Sequence, residues 1–127
     1  MRPDFERSGG LIRVIAQCSS SHVVLMDAYM NEEAFDETVR TGKVVYFSRT
    51  KGRLWRKGEE SGNIQLVREI RINCNLDSVL VLVEQIGGAA CHTGYRTCFY
   101  RRIESDGSLT VVGERVFDPK LVYNQGK

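Results

Sequence analysis

Three cysteines and one histidine carry the strongest chemical signal in this chain. Cys74, Cys91 and Cys98 follow the spacing C-x16-C-x6-C, and His92 directly follows Cys91 in the run AACHTGYRTCFY. No C-x2-C pair is present, so this is not a zinc-finger pattern. Three thiolates can nonetheless hold Zn2+ and leave a fourth position for water, as a hydrolytic zinc site requires. Three half-buried cysteines packed as small hydrophobes would fit the same residues. A histidine beside a candidate metal ligand is placed to act as a general base or to orient that ligand. Cys18 stands apart and reads as core, and His22 reads as a strand-end residue.

Two further segments could bind ligands. In Asn73-Cys74-Asn75-Leu76-Asp77, an extended backbone would put Ile70, Ile72 and Cys74 on one face and Asn73, Asn75 and Asp77 on the other. Soft sulfur suits zinc and hard oxygen suits magnesium, so two metal positions could lie side by side. An Asx-rich turn with no metal fits the same five residues. The second segment, SRTKGRLWRKGEESGN (Ser48 to Asn63), groups Arg and Lys donors, glycines and Trp55, the only tryptophan. Such a set can clamp phosphates and offer an aromatic face to a purine. It is neither a P-loop nor a dinucleotide fingerprint.

These residues need a scaffold, and the rest of the sequence supplies its outline. The chain has 127 residues, 42% hydrophobic and 27% charged, which suits a single domain spanning 1–127. Residues 1–10 read as a loose lead-in. The longest apolar run, Val79 to Val83, has five residues, far short of the ~18 of a membrane span. The N-terminus lacks a secretory h-region, which predicts a cytoplasmic protein without disulfides. The net charge of +2 excludes a nucleic-acid binder read from charge alone. Between Arg40 and Glu60, however, seven basic residues face two acidic ones. A local patch of that kind suits a small phosphorylated ligand.

Leu11 to Gln17 and His22 to Met30 read as a β-hairpin. Asn31 reads as the N-cap of a helix that runs through Ala34 to Arg40 and stops at Thr41-Gly42. Lys43 to Arg49 is a third strand, and Thr50 to Asn63 reads as a long loop. Ile64 to Cys74 and Ser78 to Ile86 are strands. Thr97 to Glu104 and Ser108 to Val112 form a hairpin around Asp106-Gly107, and Phe117-Asp118-Pro119 opens a short terminal helix or turn. The fold class expected is α+β, mostly antiparallel β-sheet with one main helix.

The motifs AYMN, YFSR, LWRKGEESGN and ACHTGYRTCF, in that order between about Ile12 and Ile103, resemble those of phosphoribosyl-AMP cyclohydrolases, enzymes of the third step of histidine biosynthesis. The resemblance implies an intertwined homodimer with active sites at the subunit interface. It implies one zinc per subunit, held by Cys74, Cys91 and Cys98 with cysteines drawn from both subunits, and His92 beside the metal. It places Arg49, Trp55, Lys57, Glu59, Ser61, Gly62 and Asn63 in a signature loop that handles a small phosphorylated purine nucleotide. The family usually has Asp-Cys-Asp-x-Asp where this chain has Asn73-Cys74-Asn75-Leu76-Asp77. Two of three magnesium carboxylates are thus amides and only Asp77 remains, so magnesium affinity should fall.

The implied reaction adds water at C6 of the adenine ring and cleaves N1–C6. Its rivals are a related zinc hydrolase acting on another purine nucleotide and a non-catalytic zinc protein whose metal only staples a dimer.

Overall fold

The computed structural model describes residues 2–122. Its main sheet has the strand order β2-β1-β6-β5, built from β1 (Ile12–Cys18), β2 (Val24–Met30), β5 (Gln65–Ile72) and β6 (Ser78–Gln85). β1 and β2 form the expected antiparallel hairpin. β5 and β6 form a second one. The two hairpins are joined through β1 and β6, which run parallel with Val14 opposite Val79 and Ala16 opposite Val81. Those four residues are buried, as is Ile12. Their alternation with exposed Arg13 and Ile15 sets the inner face of the sheet.

Helix α1 (Glu32–Thr41) follows β2. The Asn31 side chain accepts the Ala34 N–H at 2.9 Å, and Glu32 and Glu33 occupy the first turn, where acidic groups favour the helix dipole. Gly42 ends the helix with φ 74°, its N–H donating to the Thr38 carbonyl. Ala34 and Thr38 face inward, and the Thr38 hydroxyl accepts the Val45 N–H at 2.9 Å, which ties the helix to β3 (Val45–Ser48).

The segment expected to be a long loop holds another strand. β4 (Arg53–Arg56) pairs antiparallel with β3, placing Tyr46 opposite Trp55. The rings of those two residues lie 5.4 Å apart. β4 is short and only half-buried, so its sequence lacks the apolar run that marks a strand. The lead-in also differs from expectation. Phe5 is buried edge-on against Phe35, and Arg2 pairs with Glu32 and Asp36. The Asp4 N–H donates to the Leu76 carbonyl at 2.7 Å, and Arg7 donates to the Asn75 carbonyl. An aromatic side chain with a ready partner on α1 is enough to fold this segment down.

A third ribbon pairs β7 (Arg101–Ile103) with β8 (Leu109–Val111) across the Asp106-Gly107 turn. It is shorter than the hairpin expected from Thr97 to Val112, because Thr97 and Cys98 bond to β2 instead. The Cys98 N–H donates to the Leu25 carbonyl at 2.7 Å, and the Thr97 hydroxyl donates to the Val24 carbonyl. The short helix α2 (Pro119–Val122) follows Phe117-Asp118, as expected. Among the described residues no helix is long and apolar enough to cross a membrane.

One polar network runs through the core. Fully buried Gln65 accepts the Tyr46 hydroxyl at 2.6 Å and donates to the Gln85 side-chain carbonyl at 2.9 Å. Gln85 in turn donates to the backbone carbonyls of Asn63, Ile64 and Ile86. Burial pushes the Tyr46 phenol well above its ordinary pKa, so it stays a neutral donor. Gln65→Leu strands that donor and the Gln85 acceptor. The expected loss is about 2–3 kcal/mol, seen as a fall in Tm of roughly 6–12 °C. The double variant Y46F/Q65L should recover part of it, because removing both partners leaves fewer unmatched groups.

Candidate active site

Cys91 and Cys98 sit at either end of a tight return of the chain. The Ala90 N–H donates to the Arg96 carbonyl at 3.0 Å and the Cys91 N–H to the Tyr95 carbonyl at 3.2 Å. Gly94 forms the tip, with φ 93°, and a Cβ there would run into the Phe117 carbonyl. Only glycine serves at that position. The return brings the Cys91 and Cys98 side chains close to each other. Burial of the sulfur, and then the neighbouring Cys91, push the Cys98 thiol up to about 12. The surface of the Cys98 residue is nonetheless open. The Cys91 sulfur also lies 2.8 Å from the Thr93 hydroxyl.

Lys57 underpins this return. It is 6% exposed, and its ammonium donates to the Ala90 carbonyl at 2.5 Å and lies over the Trp55 ring. Burial lowers its pKa, while the sulfurs of Cys98 and Cys91 pull the other way. Its visible work is to hold the cysteine loop. The loop after it closes on Gly58, where φ is 86° and a Cβ would lie 2.5 Å from the Ile64 nitrogen.

Trp55, Lys57, Glu59, Ser61 and His92 line one cavity of about 480 Å3. The signature loop, drawn from β4 and the turn beyond it, therefore meets the histidine of the cysteine loop. His92 itself is exposed. Other expected residues lie elsewhere. Arg49 stacks on Tyr29 with its guanidinium 4.1 Å from the ring centroid, away from the cavity lining. Gly62 and Asn63 do not line the cavity, and the Asn63 side chain packs against Gly87. Lys51, Arg53, Glu60, Pro119 and Lys120 line it without having been singled out as site residues. The basic run of the sequence was a signal for the first two. Nothing local marked the last two, which arrive from the chain's end.

Cys74 is exposed. It lies in a turn, so the alternating two-faced geometry that an extended backbone would give does not hold. Asn73 closes the turn, its side-chain oxygen accepting the N–H groups of Asp77 and Ser78, both at 3.0 Å. The Asn73 amide donates to the Asp77 carboxylate at 2.6 Å. Leu76 takes a left-handed conformation with φ 60°. Among the described residues no group of three or more His, Cys, Asp or Glu side chains gathers to hold a metal within one chain.

The sequence matches the family model described as Phosphoribosyl-AMP cyclohydrolase over residues 26–100. A protein named Phosphoribosyl-AMP cyclohydrolase from Nitratidesulfovibrio vulgaris strain Hildenborough is 54% identical over 121 residues, covering 95% of each chain. The chain belongs to the phosphoribosyl-AMP cyclohydrolase family. A second protein of that name, from Desulfatibacillum aliphaticivorans, is 54% identical over 96% of this chain and 97% of its own. A third, from Methanosarcina acetivorans, is 56% identical over 90% of this chain and 91% of its own. The phosphoribosyl-AMP cyclohydrolase match runs from within β2 through the cysteine return, and so takes in the signature loop and His92 but not Pro119 and Lys120.

Proposed function

We propose that this chain opens the adenine ring of phosphoribosyl-AMP by hydrolysis, the third step of histidine biosynthesis. The observation that carries the reading is the meeting of Trp55 and His92 in one cavity beside the Cys91–Cys98 return. Water adds at C6, the N1–C6 bond breaks with its electrons moving to N1, and C6 becomes a carboxamide. The oxygen of the attacking water loses both its protons, one ending on the exocyclic nitrogen at C6 and one on N1. His92 is the residue that carries protons between those positions, because it is exposed into the cavity next to the thiol pair. Trp55 offers its face to the purine, and Lys57 fixes the height of the cysteine loop through the Ala90 carbonyl.

Zinc fits the donors present. Two soft thiols stand together, and Cys74 is an exposed third thiol held away from them, which suits a site completed by Cys74 of a second copy. A bound zinc ion supplies the Lewis acidity that makes water a usable nucleophile at neutral pH. The second copy has an apolar surface to rest on. Phe99, Ile103, Leu109, Val111 and Val112 are all more than half exposed, and Ile103 is 74% exposed. They continue directly from Cys98 along the β7–β8 ribbon, in keeping with a homodimer.

Magnesium does not fit the Asn73–Asp77 turn. Both ends of the Asn73 amide are used within the turn, and the single remaining carboxylate already accepts from it. The test is to load the purified protein with zinc and follow ring opening by ultraviolet absorbance while magnesium rises from zero to millimolar. Turnover is expected, with any magnesium effect confined to the substrate's phosphates. Absence of turnover at every magnesium level, with zinc bound, would overturn the reading in favour of another purine nucleotide as substrate.

A further inference from the structure

We infer that Lys120, carried over from the C-terminal turn, joins Lys51 to form a phosphate-holding rim on the cavity that Trp55 and His92 line. The inference rests on the reading of a phosphorylated purine nucleotide as substrate and names the residues that hold one of its phosphates. Four cations line the cavity, Lys51, Arg53, Lys57 and Lys120, and they are not equivalent. Arg53 lies 3.4 Å from Glu59, and Lys57 is buried with its ammonium on the Ala90 carbonyl. Lys51 and Lys120 are exposed, and neither has a carboxylate partner among the described residues. Asp118, the carboxylate two residues before Lys120, is engaged by Arg115 at 3.4 Å. Glu60 also lines the cavity, so an anion is favoured only where two cations together outweigh it.

The position of Lys120 follows from the cysteine return. The Gly94 carbonyl accepts the N–H groups of Val116 and Phe117, and Arg96 donates its N–H to the Glu114 carbonyl. Residues 114–117 are thereby laid along the loop that carries His92. The Asp118 side chain accepts the Lys120 N–H at 2.9 Å and turns the chain toward the cavity. Lys51 and Lys120 share the lining of one cavity with Trp55, and the ammonium of each can donate several hydrogen bonds to phosphate oxygens.

The test uses the fluorescence of Trp55, the only tryptophan, on the full-length zinc-loaded protein. Adenosine 5′-monophosphate and adenosine are titrated into the wild type and into Lys120→Gln, Lys51→Gln, Lys120→Arg and Lys43→Gln. The K120Q and K51Q variants should each weaken the monophosphate about five- to tenfold and leave adenosine unchanged. K120R should retain most of the affinity. K43Q removes an equal charge from an exposed position outside the cavity lining and should change neither ligand. In turnover, K120Q should raise KM with kcat within about twofold of wild type. Monophosphate affinity within twofold of wild type in K120Q, or an equal loss for adenosine, would overturn the rim. A wild type that binds the monophosphate through Lys120 yet fails to open phosphoribosyl-AMP would instead overturn the assigned reaction and leave the rim standing.

Discussion

Replacing His92 with alanine should lower kcat by about 10²- to 10⁴-fold, the usual worth of a positioned acid–base group. KM should change little, because His92 is assigned to proton movement and the phosphate contacts lie elsewhere on the cavity. The fold should persist. His92 is exposed and takes no part in the hydrogen bonds that close the cysteine return, which run between the backbones of Ala90, Cys91, Tyr95 and Arg96. Removing an exposed side chain away from caps and core usually shifts stability by less than about 0.5 kcal/mol. A loss of turnover with an unchanged Tm and unchanged zinc content therefore isolates chemistry from folding. His92→Gln should be as inactive, since an amide donates and accepts hydrogen bonds but does not carry a proton at neutral pH. Turnover within tenfold of wild type in either variant would remove His92 from the mechanism and leave proton transfer to solvent.

The elements that could be read from sequence are those whose causes are local. Asn31, Glu32, Glu33 and Gly42 specify both ends of α1 through contacts no more than a few residues away, and the helix lies where they place it. The β1–β2 hairpin and the Asp106-Gly107 turn are local in the same sense. β4 was hidden because its strand character comes from Tyr46 across the ladder and not from its own composition. The burial of Phe5 depends on Phe35, thirty residues on. The parallel pairing of β1 with β6 joins segments more than sixty residues apart, which no local pattern encodes.

The candidate site divides along the same line. Residue types mark Cys91, His92, Cys98 and Trp55 as candidates in the sequence, and the structure brings Cys91 close to Cys98 and puts His92 on one cavity with Trp55. Lys57 reads from sequence as one of the cations of the nucleotide-handling loop, and only the packing of the cysteine return over it shows its ammonium engaged with a backbone carbonyl. Lys120 cannot be placed from sequence, since its approach is set by hydrogen bonds that a segment more than twenty residues later donates to the Gly94 carbonyl. The amides at Asn73 and Asn75 were noted as departures from a carboxylate pattern. What could not be read was that Asn73 satisfies itself inside the turn, with its oxygen on two backbone N–H groups and its nitrogen on Asp77.

Mixing two inactive variants should restore activity. Cys74→Ser and Cys98→Ser each remove one soft ligand from every proposed zinc site, so each homodimer should lose zinc and nearly all turnover. In a two-fold symmetric dimer with shared sites, a heterodimer of the two variants keeps one complete set. It takes Cys91 and Cys98 from the first chain and Cys74 from the second, while the other site lacks two thiols. Random reassortment at equal concentrations makes half the dimers heterodimers, so about one quarter of wild-type activity should return, with zinc content rising in parallel. The single-chain geometry motivates this outcome, for Cys91 and Cys98 lie together while exposed Cys74 joins no cluster with them. If each chain instead gathered its own three ligands, no combination of these two variants could hold the metal, and mixing would restore nothing. Dissociation in mild denaturant followed by dilution ensures exchange, and native mass spectrometry measures the heterodimer formed. A mixture rich in heterodimer but without zinc or turnover would exclude shared sites. Cys18→Ser serves as the thiol control, because Cys18 lies on β1 with its sulfur against Ser20 and should lose neither metal nor activity.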